Sequence, residues 1–210
     1  MSEVVSVDAD HPAEDVIARA ATVLRQGRLL IYPTDTLYAL GGLALQAPVG
    51  RAVREAKGRE EGKPLPLVAS SLEQARSLCA SWPEAAALLA ARFWPGPLSL
   101  IFPARPEVPS GVTAGTGTVA VRVPARELTR RLCAAGPLVA TSANRAGQAP
   151  PRLCAEAVAA VGAWAALALD GGPGQPAPST LVDLTDAAPR LLRPGPVEWE
   201  DVLATLRAGS

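Results

Sequence analysis

Histidine occurs once in these 210 residues, lysine twice and cysteine three times. With His11 alone, histidine-ligated zinc, serine–histidine triads and histidine general-base chemistry are disfavoured together. If the chain is an enzyme, it works by positioning and electrostatics. Cys79, Cys133 and Cys154 are odd in number, widely spaced and set among Ala and Leu, which fits buried reduced thiols better than a disulfide frame or a metal knuckle. No stretch reaches the roughly 18 continuous apolar residues of a membrane span, and residues 1–10 lack an apolar signal core. The expectation is a cytoplasmic protein with no membrane contact. Neither sign of charge is in excess, since 20 acidic residues balance 20 basic ones. The strong positive field that nonspecific nucleic-acid or anionic-membrane binding needs is therefore missing, and any anion must be held locally.

What is present is a 49% apolar chain, enough for one substantial core and without a composition shift that would split it. One domain over residues 1–210 is expected. Val16, Ile17, Ala20, Val23 and Leu24 recur at helical spacing between Pro12 and Gly27, an amphipathic helix. Residues 29–32 then read as a buried strand stopped by Pro33, and 47–56 as a second helix. Strand patterns follow at 66–69, 98–102, 119–123, 138–140, 167–169, 180–184 and 191–192, with helical periodicity at 71–80, 84–93, 126–135, 152–161 and 197–207. Together these predict an α/β fold, a mixed sheet covered by helices. The Gly- and Pro-rich stretch 171–178 reads as a mobile loop.

Both lysines fall in one stretch, 57–63, where Lys57, Arg59 and Lys63 are interleaved with Gly58 and Gly62. An ammonium is a compact charge that meets phosphate oxygens one at a time, so this stretch suits a phosphate; a solvated helix end of mixed charge is the alternative. After the first buried strand, residues 33–42 place Thr34, Asp35, Thr36 and Tyr38 before two glycines, either a cradle for a small polar ligand or a self-bonded turn. In the alternating segment 118–124, Thr118, Ala120 and Arg122 share one face and Val119, Val121 and Val123 the other. A guanidinium on such a face needs an anion, supplied by an internal carboxylate or by a bound one. Residues 141–147 repeat the theme, with Ser142 and Asn144 after a strand, and Ser179 and Arg193 stand near two more strand ends. A Walker motif is absent.

Taken in order, these segments resemble the YrdC/TsaC-like threonylcarbamoyl-AMP synthase family over about residues 12–207. The matching pieces are PTDTLYALG (33–41), KGR (57–59) with KPLPL (63–67), FWPGPLSLIF (93–102), TVAVRVP (118–124), LVATSAN (138–144), DGG (170–172), STLVD (179–183) and LLRPG (191–195). The resemblance implies a twisted α/β fold with a large concave cavity, and a short form lacking the C-terminal extension of longer members. It implies a reaction joining L-threonine, bicarbonate and ATP, with Mg²⁺ accompanying the ATP, into threonylcarbamoyl-AMP and pyrophosphate. A downstream transferase would then modify adenosine 37 of tRNA.

Carried over by position, Thr36, Arg122 and Ser179 would hold threonine. Lys57, Arg59 and Lys63 would receive the triphosphate, with Lys57 and Arg59 as the catalytic pair, and Thr118, Ala140, Ser142, Asn144 and Arg193 would complete the nucleotide site. The sequence departs from the family at Glu60, where proline is usual, at Lys63, where asparagine is frequent, at Ala39, where glycine is frequent, and at Val68, where some members place a histidine. Two other readings compete. One is a carbamoyl-adenylate-forming relative of the domain in hydrogenase-maturation proteins; the other is a module making weak contact with RNA, against which the zero net charge argues.

Overall fold

The computed structural model describes residues 2–58, 62–175 and 177–209. Its strands, in chain order, are β1 (Glu3–Ser6), β2 (Leu29–Pro33), β3 (Tyr38–Gly41), β4 (Leu67–Val68), β5 (Leu98–Pro103), β6 (Thr118–Arg122), β7 (Leu138–Val139), β8 (Thr141–Ser142), β9 (Ala165–Asp170), β10 (Thr180–Asp183) and β11 (Arg190–Arg193). The helices are α1 (Glu14–Arg25), α2 (Ala47–Lys57), α3 (Leu72–Arg76), α4 (Glu84–Phe93), α5 (Ser110–Thr113), α6 (Glu127–Leu132), α7 (Cys154–Val161) and α8 (Trp199–Ala208).

The mixed α/β character is as expected, but the strands divide between two sheets rather than forming one. The first has the order β1-β9-β2-β3-β8 and the second β11-β10-β5-β6-β4-β7. Every residue of β2 is buried, because the strand is central, with β9 parallel on one side and β3 antiparallel on the other. Helix α1 buries Ala20 and Leu24 in a cluster with Leu30, Tyr32, Leu167 and Leu169. One face of the second sheet carries Leu98, Leu100, Phe102, Val119, Val121 and Val182, which share a core with Ala86 and Leu89 of α4 and Val202 of α8. Trp82 stacks on Phe102 with ring centroids 4.8 Å apart.

Two strands escape a reading by local pattern. β1 pairs in parallel with β9 although its burial is poor, since an edge strand needs backbone partners more than an apolar face. β3 occupies residues read as a ligand cradle or a self-bonded turn; it is fully buried and zipped to β2 from Leu30↔Gly41 to Pro33↔Tyr38. The segment 138–142 also does more than one strand's work. β7 lies in the second sheet and β8 in the first, with Ala140 alone between them. This crossing is tight. Val139 O accepts from Tyr32 Oη at 2.7 Å, and a Cβ on Gly41 would stand 1.6 Å from the same oxygen. The sheets are thus joined at one seam and diverge from it, leaving a concave space between β3/β8 and the second sheet's remaining face.

Candidate active site

The alternation that buries Val119 and Val121 turns Thr118, Ala120 and Arg122 into that space, as the sequence predicts. In neighbouring strands Ser99, Ile101, Leu181, Arg193 and Val68 do the same, and together they floor a cavity of about 1000 Å³. The ladders define a row. Arg193 pairs with Leu181 and Leu181 with Ser99, while Leu100↔Val121 sets Ser99 against Arg122 at the next position. Two guanidiniums thus stand three strands apart, about 14 Å at the backbone, with Leu181 and Ser99 between them. The opposite wall comes from β3 and β8 and the turns beside them: Thr34, Thr36, Tyr38, Ala39, Thr141, Ser142 and Asn144.

Arg122 is almost wholly buried, and the anion it requires in this state is internal. Its Nη1 donates to Asp35 Oδ1 at 2.6 Å, and Nη2 reaches Thr36 Oγ1 at 3.3 Å. Only 6% of the Arg122 side chain and 13% of Asp35 remain exposed, and Asp35 Oδ2 is buried with no hydrogen-bond partner among the described residues. The strand-end turn is both self-bonded and cavity-lining, so the two readings of residues 33–42 are complementary. Thr34 Oγ1 donates to Leu37 O and lies 2.9 Å from Thr36 Oγ1.

Arg193 differs from Arg122. Its Nε and Nη2 donate to Ser179 O at 3.0 and 2.9 Å, Nη2 also reaches Ser179 Oγ at 3.2 Å, and no carboxylate among the described residues pairs with it. Desolvation by its neighbours, and then repulsion from Arg122, hold its pKa below the usual arginine value, although Arg193 still presents part of its surface to solvent. A cation in that condition favours an incoming anion.

Lys57 ends α2 and is buried rather than solvated. Its ammonium donates to Ser142 O, to Asn144 O at 2.9 Å and to Asn144 Oδ1 at 3.2 Å. Ser142 Oγ donates to Asn144 Oδ1 at 2.6 Å, and Asn144 Nδ2 to Gln148 O at 2.6 Å. The lysine therefore fixes the turn after β8. The left-handed Gly58, at φ 59°, ends the helix and itself lines the cavity.

Thr36, Lys57, Lys63, Thr118, Arg122, Ala140, Ser142, Asn144, Ser179 and Arg193 all line this one cavity. Arg59 lies outside the described residues, as does Glu60. Val68 lines the floor beside Arg122, its register partner in β4. Residues 172–175 of the breaker loop are bonded to the rest of the fold: Gln175 N donates to Thr36 O and Gly174 N to Arg152 O, while Tyr38 Oη, with its one hydrogen, lies 2.7 Å from Gly172 O and 3.1 Å from Asp170 Oδ1. Burial, and then Asp170, raise the Tyr38 pKa, so the hydroxyl stays a donor. Sequence reasoning missed Ser99, whose signal was its period of two with Ile101 inside FWPGPLSLIF; that segment reads as architecture. It also named Asp35 without seeing that it faces Arg122.

The lining contains cations, hydroxyls and backbone but no carboxylate among the described residues, and no group of three or more metal-ligating side chains occurs among them. No helix among them is long and apolar enough to cross a membrane. The three cysteines are free and buried.

Fold and site define an α/β protein with a cation-bearing cleft between two sheets. The chain belongs to the Sua5/YciO/YrdC family, described as "Telomere recombination", which it matches over residues 22–195. It is 39% identical over 186 residues to threonylcarbamoyl-AMP synthase of Pyrococcus abyssi, covering 87% of this chain but only 55% of that protein. A putative threonylcarbamoyl-AMP synthase of Mycobacterium tuberculosis is 38% identical over 195 residues, with 90% and 88% covered. The crystal structure of P. abyssi Sua5 complexed with L-threonine superposes with a TM-score of 0.93 at 36% identity, over 98% of this chain and 61% of that one.

Proposed function

We propose that the protein is an L-threonylcarbamoyladenylate synthase. Threonine, as the free amine, and bicarbonate form a carbamate with loss of water. A carbamate oxygen then attacks the α-phosphorus of ATP, the bond to the β-phosphate oxygen breaks, and pyrophosphate leaves with the electron pair. The product is threonylcarbamoyl-AMP. It would pass in the cytoplasm to a transferase that modifies tRNA adenosine 37, with RNA contact by this chain at most weak.

The observation that carries this reading is that residues scattered from 36 to 193 meet in one cavity with two guanidiniums on a single sheet face. At about 1000 Å³ the space matches the upper end of small-molecule sites, about 300–1,000 Å³, so two reactants fit side by side. Arg122, Thr36 and Ser179 hold threonine, the guanidinium turning its remaining N–H groups to the carboxylate. Lys63, Thr118, Ala140, Ser142, Asn144 and Arg193 hold the nucleotide. Lys57 orders the Ser142–Asn144 turn against the phosphates, and Arg59 joins it there. Mg²⁺ would accompany ATP and offset phosphate charge, and the described lining residues include no carboxylate that would hold it. Charge-assisted hydrogen bonds of roughly 1.5–3 kcal/mol each, aimed at phosphates that gain charge as pyrophosphate departs, supply much of the catalysis.

Pyrophosphate release is expected to require threonine and bicarbonate together. Arg122→Ala should raise the threonine requirement about 10- to 100-fold with little effect on ATP, and Lys57→Ala should do the reverse. Release at the full rate without threonine would end the assignment.

A further inference from the structure

Resting on that reading, we infer that Ser99 and Ser179, with Arg193 behind them, form the subsite for bicarbonate and for the carboxylate it becomes on the threonine nitrogen. The two hydroxyls are buried, line the cavity and lie 2.8 Å apart. A hydroxyl carries one hydrogen and two lone pairs. Whichever serine donates within the pair, the other's hydrogen has no acceptor among the described residues, and the rotor can aim it into the cavity. Arg193 spends Nε and Nη2 on Ser179, and its Nη1 bonds no described residue. One hydroxyl donor and the Nη1 group of Arg193 are therefore left uncommitted by the described residues in the lining of the cavity, beside the floor row Arg193–Leu181–Ser99–Arg122.

That arrangement suits a small planar oxyanion that also carries its own O–H, because a serine lone pair can accept it. Leu181 and Ile101 flank the serine pair on the floor with apolar surface. Position supports the same occupant. On that reading the carbamate has to lie between the threonine, held at Arg122, and the nucleotide, of which Arg193 is one assigned contact, and Ser99 is the polar floor residue between those two arginines. Its carbon must also stand within bonding reach of the threonine nitrogen, and Ser179 borders both regions. Ser99 is thereby assigned a substrate contact, whereas the segment around it otherwise serves the fold.

The test is the initial rate of pyrophosphate release against bicarbonate, in CO₂-depleted buffer with saturating threonine and MgATP. Ser99→Ala should raise the bicarbonate KM about tenfold or more, as expected for a lost hydrogen bond to a charged group, with threonine and ATP KM unchanged. Ser99→Thr, which restores the hydroxyl, should recover most of the loss; Ser99→Cys replaces Ser99→Ala if the latter does not fold. Calorimetric titration of threonine without bicarbonate should give the same affinity in wild type and variant. An unchanged bicarbonate KM overturns the subsite, and so does a threonine affinity that falls in parallel, which would give the hydroxyl to the amino acid. Wild-type protein that turns over without bicarbonate would instead sink the reading of function itself, so the two failures are distinguishable.

Discussion

Asp35→Asn changes one atom's charge beside a guanidinium that is 6% exposed, and the consequence can be worked out before the experiment. At an effective dielectric of about 20, unit charges about 4 Å apart attract by about 4 kcal/mol, partly cancelled by the desolvation of both groups. Removing one partner keeps the desolvation of the other and loses the attraction, which costs about 3–5 kcal/mol. The amide retains a hydrogen bond through its oxygen, favouring the lower figure. It also puts an N–H₂ where the carboxylate now has an oxygen with no partner, so no compensating bond is gained. For a chain of 210 residues, with each kcal/mol worth about 2–4 °C, about 3 kcal/mol lowers the melting midpoint by about 6–12 °C. Saturating threonine should then stabilise Asp35→Asn more than wild type, because the substrate carboxylate replaces the missing anion. Differential scanning calorimetry with and without threonine reads both effects. A midpoint within about 2 °C of wild type, or a threonine-induced gain no larger than wild type's, would refute the claim that Arg122 serves both an internal and a bound carboxylate. Replacing both partners by apolar residues should be less harmful than replacing Asp35 alone.

Two further outcomes follow from packing and burial. Gly41→Ala should destabilise by about 3 kcal/mol or prevent folding, since the added methyl would meet Val139 O at the sheet-to-sheet seam; chemical denaturation measures it, and a neutral effect would mean the seam can open. Burial pushes the thiols of Cys79 and Cys133 up to about 12 and that of Cys154 up to about 11, from 9.0. The folded state thus holds these protons when the unfolded chain has released them, so their contribution is fully present below pH 9 and declines as pH rises through 11 to 12. Thiol alkylation at pH 8 should be slow in native protein and prompt in denaturant, and rapid native labelling would contradict the burial.

The sequence by itself determined the local chemistry. Helical spacing placed α1, α2 and α4 within two residues of their ends, and period-two alternation aimed Thr118, Ala120 and Arg122 at a common face, because both signals depend on neighbours a few positions away. Ordered motifs were enough to identify the family. Tertiary structure alone decided the rest. That strands fall into two sheets turns on Ala140 and on the close approach of Gly41 to Val139, a contact between residues almost a hundred positions apart. β1 exists only because β9 lends it backbone partners, and the loop at 171–175 is held by Thr36 and Arg152 rather than by its own residues. The choice of Asp35 as partner for Arg122, of two serines as neighbours across 80 positions and of carbonyls as acceptors for Lys57 is likewise invisible in the chain. Residue types state which groups need a partner; only the three-dimensional path of the backbone states which partner is within reach.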